Sequence, residues 1–248
     1  MHTPIYFRPT DEQAQEFLRK IQSGHLVTNT EQGLLSTLIP LVFLPESQTF
    51  IGHIGRPNIQ GKLSTNQEAL LISCVNEAYI SPNWYASKIE HGKVVPTLDY
   101  MMVHAYGHLT IHNDAEWLLN QVTQLTNRFE ASFKNPWSVS DAPADYIAGL
   151  LNGITGVELK LTRIEASFKM SQNKSTADLD GLTAGLAAIN KHEIADTINE
   201  LRPAEKKCPH MDGNKPLPLS SIRRSTVCYN ILATSAFLLF SLFIPSRC

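Results

Sequence analysis

Nothing in this chain announces a nucleotide fold or a standard nucleophile. There is no GxGxxG after a strand-like run, no P-loop, no HExxH and no GxSxG. Dinucleotide binding on a glycine loop, NTP hydrolysis, zinc proteolysis and α/β-hydrolase chemistry therefore lack their usual carriers. Charge is scarce too: 18% of residues are charged, the formal net charge is −2, and no basic stripe crosses the main body of the chain. Direct DNA binding, which needs Lys and Arg to displace counterions, is disfavoured. The N-terminus MHTPIYFRPTDEQ lacks the apolar core of a secretory signal, so a reducing, cytoplasmic setting is expected. Cysteines are few: Cys74, Cys208, Cys228 and Cys248, at spacings that match no metal-ligand pattern. Cys74 lies in ALLISCV and reads as a buried small hydrophobe.

What is present is enough for a sizeable core, with 43% hydrophobic residues in 248. Residues 1–202 read as one mixed α+β domain. Thr10 or Asp11 can cap a first helix with Phe17, Leu18 and Ile21 on its apolar face. GHLVTNT, LLSTLIPLVFL, TFIGHIG and EALLISCV follow as strand-like runs separated by turn-formers. From Val103 to His112 apolar and polar residues alternate strictly, which predicts a strand with one buried face. Asp114 then caps a long helix with Trp117, Leu118, Val122, Leu125 and Phe129 along one side. APADYIAGLLNGI predicts another helix, and VELKLTRIEASFKM a strand alternating through Val157, Leu159, Leu161 and Ile164. SQNKSTAD opens a further helix.

Residues 203–226 are polar, proline-bearing and unperiodic, as a linker would be. Residues 227–245 are apolar and uncharged after Arg223 and Arg224. Roughly eighteen such residues fall just short of a spanning helix, so a tail anchor on an intracellular membrane and an unselected extension both stay open.

His104, His108 and His112 invite a metal reading. On a strand, however, four-residue spacing separates neighbours by ~13 Å, too far for one ion bound at ~2 Å per ligand. A solvated or ligand-facing strand face is the better account, and no metal is assigned.

The densest chemistry lies between Asn76 and Gly107. Tyr79, Trp84, Tyr85, Lys88, His91 and Lys93 fall within a short stretch, a mixture suited to a flat ring with an anionic tail. Taken alone, each Lys–aromatic pair reads more readily as surface packing with the amine in water than as a ligand clamp. His53, Arg56, Asn58 and Lys62 follow a strand-like run into a turn, where Arg offers a forked donor and Lys a point charge to a phosphate. Arg56 facing plain solvent beside Pro57 is the alternative.

YISPNWYASK, EHGKVVPT and VHAYG together resemble the signature of PaiB-type proteins, the FMN-binding negative transcriptional regulator family. So do PWSVSDAPADYIAGLLNGITGVELKLTRIEASFKMSQNKSTAD, TPIYFRPTD, LIPL and GHIGRPN, and the resemblance covers about residues 1–190. It implies a split β-barrel with flanking helices, related to the pyridoxamine-phosphate oxidase group. It also implies FMN as cofactor, held between the subunits of a homodimer, and a regulatory or flavin-carrying role. On this resemblance His53, Arg56, Asn58 and Lys62 hold the phosphate. Trp84, Tyr85, Ser87, Lys88, Lys93 and Thr97 lie near the isoalloxazine or the dimer interface. Two other roles remain: a flavin-dependent oxidoreductase, with Tyr85, His91 and His104 as candidate proton donors, and a flavin-free regulatory barrel. The chain departs from the family pattern at Thr37–Leu38, at Ile59–Gly61, at Leu179 and at Leu98–Asp99. Asp99 would set a carboxylate against a bound phosphate.

Overall fold

The computed structural model describes residues 1–203, so the apolar run and nearly all of the expected linker lie outside the described residues. Six strands form the core: β1 (Ser23–Thr30), β2 (Gly33–Leu44), β3 (Thr49–Gly55), β4 (Gln67–Ile80), β5 (Thr97–His112) and β6 (Ile154–Lys169). All pairings are antiparallel, and the strands close into a barrel in the order β1-β2-β3-β6-β5-β4. Six helices flank it: α1 (Asp11–Lys20), α2 (Ser87–His91), α3 (Ala115–Glu130), α4 (Ala144–Leu151), α5 (Thr176–Ala188) and α6 (His192–Glu200). This is the expected α+β split barrel. Among the described residues no helix is long and apolar enough to cross a membrane.

Local sequence explains most element ends. Thr10 accepts from the Gln13 amide while the Gln13 side chain returns to the Thr10 amide, a full capping box on α1. Asp114 caps α3 through the Trp117 amide, and Ser175 caps α5 through the Asp178 amide. In β5 the odd residues Val103, Ala105 and Leu109 are fully buried, and the even ones face outward. The phase slip in β6 between Leu161 and Ile164 is a bulge: Tyr106 pairs with Arg163 and Gly107 with Leu161, leaving Thr162 unpaired.

Three expectations need correction. Cys74 is exposed, because Leu71 and Ser73 of β4 point inward and alternation turns Cys74 out. β5 starts at Thr97, six residues before the clean alternation, because Asp99 occupies an inward position. On α3 the fully buried positions are Leu118 and Gln121, while Phe129 is exposed. The helices α2 and α6 had no sequence-based expectation.

The barrel has a seam. β2 pairs with β3 only from Leu41 to Leu44, so His53–Gly55 have no β2 partner. Pro40 explains why. The Leu41 amide donates to Gln22 of the β1 side, so the next amide position along β2 faces β3, and there Pro40 has no N–H. The loop after β3 fills the opening. Inside, Leu26, Ile39, Leu41, Phe50, Leu71, Leu109, Val157 and Leu159 meet closely and leave a void of only about 10 Å³. The barrel interior has no room for a ligand of ring size.

Candidate functional site

The seam loop carries the first group of expected residues. Asn58 opens the 3₁₀ turn Ile59–Lys62, its side-chain oxygen accepting from the Gln60 amide and its Nδ2 donating to Thr37 Oγ1 at 2.9 Å. Arg56 is exposed. Its Nε donates to the Asn152 carbonyl and one terminal nitrogen to Asn113 Oδ1 at 3.1 Å. Thr155 Oγ1 donates to the same Asn113 oxygen at 3.2 Å. All of these acceptors are neutral. Neither Arg56 nor Lys62 has a carboxylate partner among the described residues. Arg56 and Lys62 thus flank Asn58 in sequence as two cations without a carboxylate partner among the described residues, a chemistry that would suit a phosphate.

His53 stands apart from this cradle. It points outward from β3 beneath α3, where its Nδ1 lies 2.9 Å from Oε1 of the fully buried Gln121. Its neighbour across β6 is Gly156, whose opposite neighbour is His112. Gln60, Gln121 and Asn113 were missed from sequence. The Asn58-x-Gln60 spacing and the Asn113–Asp114 pair after a long strand were the only local signals for the first and last.

The second group sits at the other end of the barrel. β6 runs thirteen residues from Gly156, opposite His53, to Lys169, opposite Tyr100, about 40 Å of strand. One copy of the chain does not bring the two groups together. Here Trp84 lies over α5, where a side chain at Gly185 would strike its ring and one at Gly181 its carbonyl. Ser87 donates through both its amide and its hydroxyl to Asp178 of α5, at 2.9 and 3.0 Å. Burial would raise the Asp178 carboxyl, but the two bonds from Ser87, the bond to Ser175 and the charge of Lys174 together hold the group below its ordinary value. Tyr85 is 2% exposed and its hydroxyl has no partner among the described residues. Burial, then the charge of Asp99, push its pKa up to about 12. Thr97 accepts from Lys169, while Lys88 donates to Asn83 at 2.6 Å. Lys88, Lys93, Ile89 and Val95 are left exposed, Ile89 at 92%.

Asp99 does not face a phosphate. It is 0% exposed, accepts from Ser171 at 2.6 Å and lies 3.6 Å from Lys169. Burial raises its carboxyl, against the pull of Ser171 and Lys169. Of the three candidate proton donors, Tyr85 is enclosed and His91 is exposed, accepting from the Lys93 amide. His104 lies half-buried on the outer sheet face, where burial lowers its imidazole. That face is built of two cross-strand rows, Leu38–His25–Ile72–His104–Glu165 and Ser36–Val27–Leu70–Tyr106–Arg163. Arg163 stacks over Tyr106 with 3.4 Å from guanidinium carbon to ring centre, and Leu38 is 60% exposed. His112 is engaged elsewhere, bonded to Glu158 at 2.7 Å.

Residues 1–163 match the family described as "Putative FMN-binding domain". Protease synthase and sporulation protein PAI 2 of Bacillus subtilis is 31% identical over 183 residues, covering 72% of this chain and 85% of that protein. An uncharacterized protein of Emericella nidulans is 32% identical over 205 residues, covering 73% of this chain and 82% of its own. Among solved structures, the flavocytochrome Anf3 of Azotobacter vinelandii shares 10% identity at a TM-score of 0.49. It covers 67% of this chain and 72% of that one, a likeness too loose to argue from. The chain belongs to the FMN-binding, PaiB-like split-barrel family, and FMN is the cofactor that this membership supports.

Proposed function

We propose that this protein is an FMN-holding homodimer with a regulatory or flavin-carrying role. The observation that carries the reading is the pair Arg56 and Lys62, two cations beside the barrel seam without carboxylate partners among the described residues. Arg56, Lys62 and Asn58 would hold the phosphate, and FMN when bound supplies one- and two-electron redox chemistry. The filled core leaves the ring outside the barrel, where the half-exposed apolar face bearing Val27, Leu38, Leu70 and Ile72 favours a second copy. Two copies meeting through that face about a two-fold axis perpendicular to the strands would set the seam end of one against the Lys88–Thr97 end of the other. Lys88, Lys93 and Thr97 would then face the cofactor across the interface. Trp84, Tyr85 and Ser87 would shape the loop that presents them.

The test is to titrate the purified full chain with FMN while recording visible absorption and the mass of the particle in solution. A red-shifted, structured flavin band on a dimeric particle is expected. A protein that carries no flavin and takes up none at micromolar FMN would sink the reading.

A flavin-dependent oxidoreductase is the second reading, favoured by the half-buried His104 on the same open face. Its lowered pKa leaves a neutral imidazole there near pH 7, able to accept or pass a proton. Oxidation of a reduced nicotinamide by the FMN-loaded protein would support it, and no turnover with such donors would remove it.

A further inference from the structure

The cradle residues sit on a loop, and loops hold geometry only when something fixes them. In this chain the fixing group is Gln60. It is 0% exposed, although it lies between exposed Arg56 and exposed Lys62 in sequence. Its Nε2 reaches into the seam and meets three acceptors: Leu26 O at 3.0 Å, Thr28 Oγ1 at 2.9 Å and Leu35 O at 3.4 Å. One side chain therefore ties the 3₁₀ turn to both β1 and β2. The surroundings also set the amide's orientation, since only the nitrogen end suits three acceptors.

Two further details show how closely the turn is seated. The Gln60 Oε1 is buried with no donor among the described residues, a cost that the bonds from Nε2 must offset. A side chain at Gly61 would press on Thr155 Cγ2 at 3.2 Å, so the turn lies flush against β6. Thr155 in turn shares the Asn113 oxygen with Arg56. The seam plug and the cradle are thus one connected assembly.

We infer that Gln60 is a positioning residue for phosphate recognition: by anchoring the turn in the seam it aims Arg56, Asn58 and Lys62 at one point. It touches no cofactor itself. The inference rests on the FMN reading and adds to it a residue that determines preference for the phosphorylated flavin.

The test compares FMN with riboflavin, which differs only by the phosphate. Affinities for both are measured by flavin fluorescence on the full-length protein and on Gln60→Leu. A preference for FMN is expected in the parent, with the FMN-to-riboflavin ratio falling about tenfold or more in the variant while riboflavin affinity holds, since small displacements of positioning groups have effects of that size. A folded variant with an unchanged ratio, or with both affinities reduced alike, overturns the inference and leaves Gln60 a structural plug. If Gln60→Leu does not fold, Thr28→Val, which removes one acceptor at a buried position of similar shape, is judged by the same ratio. A parent protein that binds neither flavin overturns the FMN reading, and this inference with it.

Discussion

His112 and Trp117 stack face to face, their ring centres 4.0 Å apart and their planes 6° from parallel. The stack fits because Gly156 lies beneath it: a Cβ there would come within 2.2 Å of the Trp117 ring. Gly156→Ala must therefore displace Trp117 and lift the start of α3 from β3 and β6. A loss of about 1–3 kcal/mol is expected, the range for overpacking a tight contact. Urea unfolding followed by tryptophan fluorescence measures it, and a variant as stable as the parent would show that Trp117 yields to the added methyl group without cost.

The seam cradle predicts selective losses. Arg56→Gln and Lys62→Gln should each weaken FMN by roughly 1.5–3 kcal/mol, the usual scale of a charge-assisted hydrogen bond, and leave riboflavin nearly unaffected. Equal losses for both flavins would place the phosphate elsewhere.

A site shared between copies predicts rescue. An Arg56→Gln/Lys62→Gln chain and a Lys88→Glu/Lys93→Glu chain should each bind FMN weakly as pure dimers. Unfolded together and refolded, mixed dimers regain one intact site, and FMN capacity should return in part. No recovery on mixing would confine each site to a single chain.

Asp99 gives a pH prediction. Burial holds its carboxyl above the value it has in the unfolded chain, so its contribution to stability is fully present only below that unfolded value and is lost as pH rises through the folded one. Asp99→Asn removes the charge while keeping an acceptor for Ser171. Lys169 is not stranded, since it still donates to Thr97 and Leu98 and keeps a quarter of its side chain at the surface. The variant should melt higher than the parent at pH 8, with the gain shrinking toward pH 4. A lower melting temperature at every pH would mean that the ion pair outweighs desolvation.

Asp178 has the opposite sign. Its carboxyl is held below its ordinary value, so its stabilising part is present above the unfolded value and fades as pH falls through the folded one. Asp178→Ala strands the amide and hydroxyl of Ser87 and should cost about 1–3 kcal/mol at pH 7, and less in acid. Thermal melts at the two pH values decide it.

Much of the scaffold was legible because period-two alternation and caps are local signals. β5 and the Thr10 and Asp114 caps follow from a few neighbouring residues each. Cys74 was misread because an apolar run hides which residues point inward, and only pairing partners fix that phase. The site was harder for a related reason. Arg56 and Lys62 carry their chemistry on their faces, but Gln60 looks like any polar turn residue until β1 and β2 surround it. The aromatic motif is harder to read: within the chain, Trp84 packs on α5 and Tyr85 in the core, contacts that only the tertiary fold reveals.

Pro40 has a last consequence. Where its missing N–H interrupts the ladder, closure of the barrel passes from backbone to the side chains of Asn58 and Gln60. Side-chain ties open at lower cost than a run of ladder bonds, so the amides flanking the seam should exchange with solvent before those of β5 and β6. A cofactor gripping the cradle would slow that breathing in proportion to its occupancy, which makes exchange at Arg56–Leu63 a direct reporter of loading.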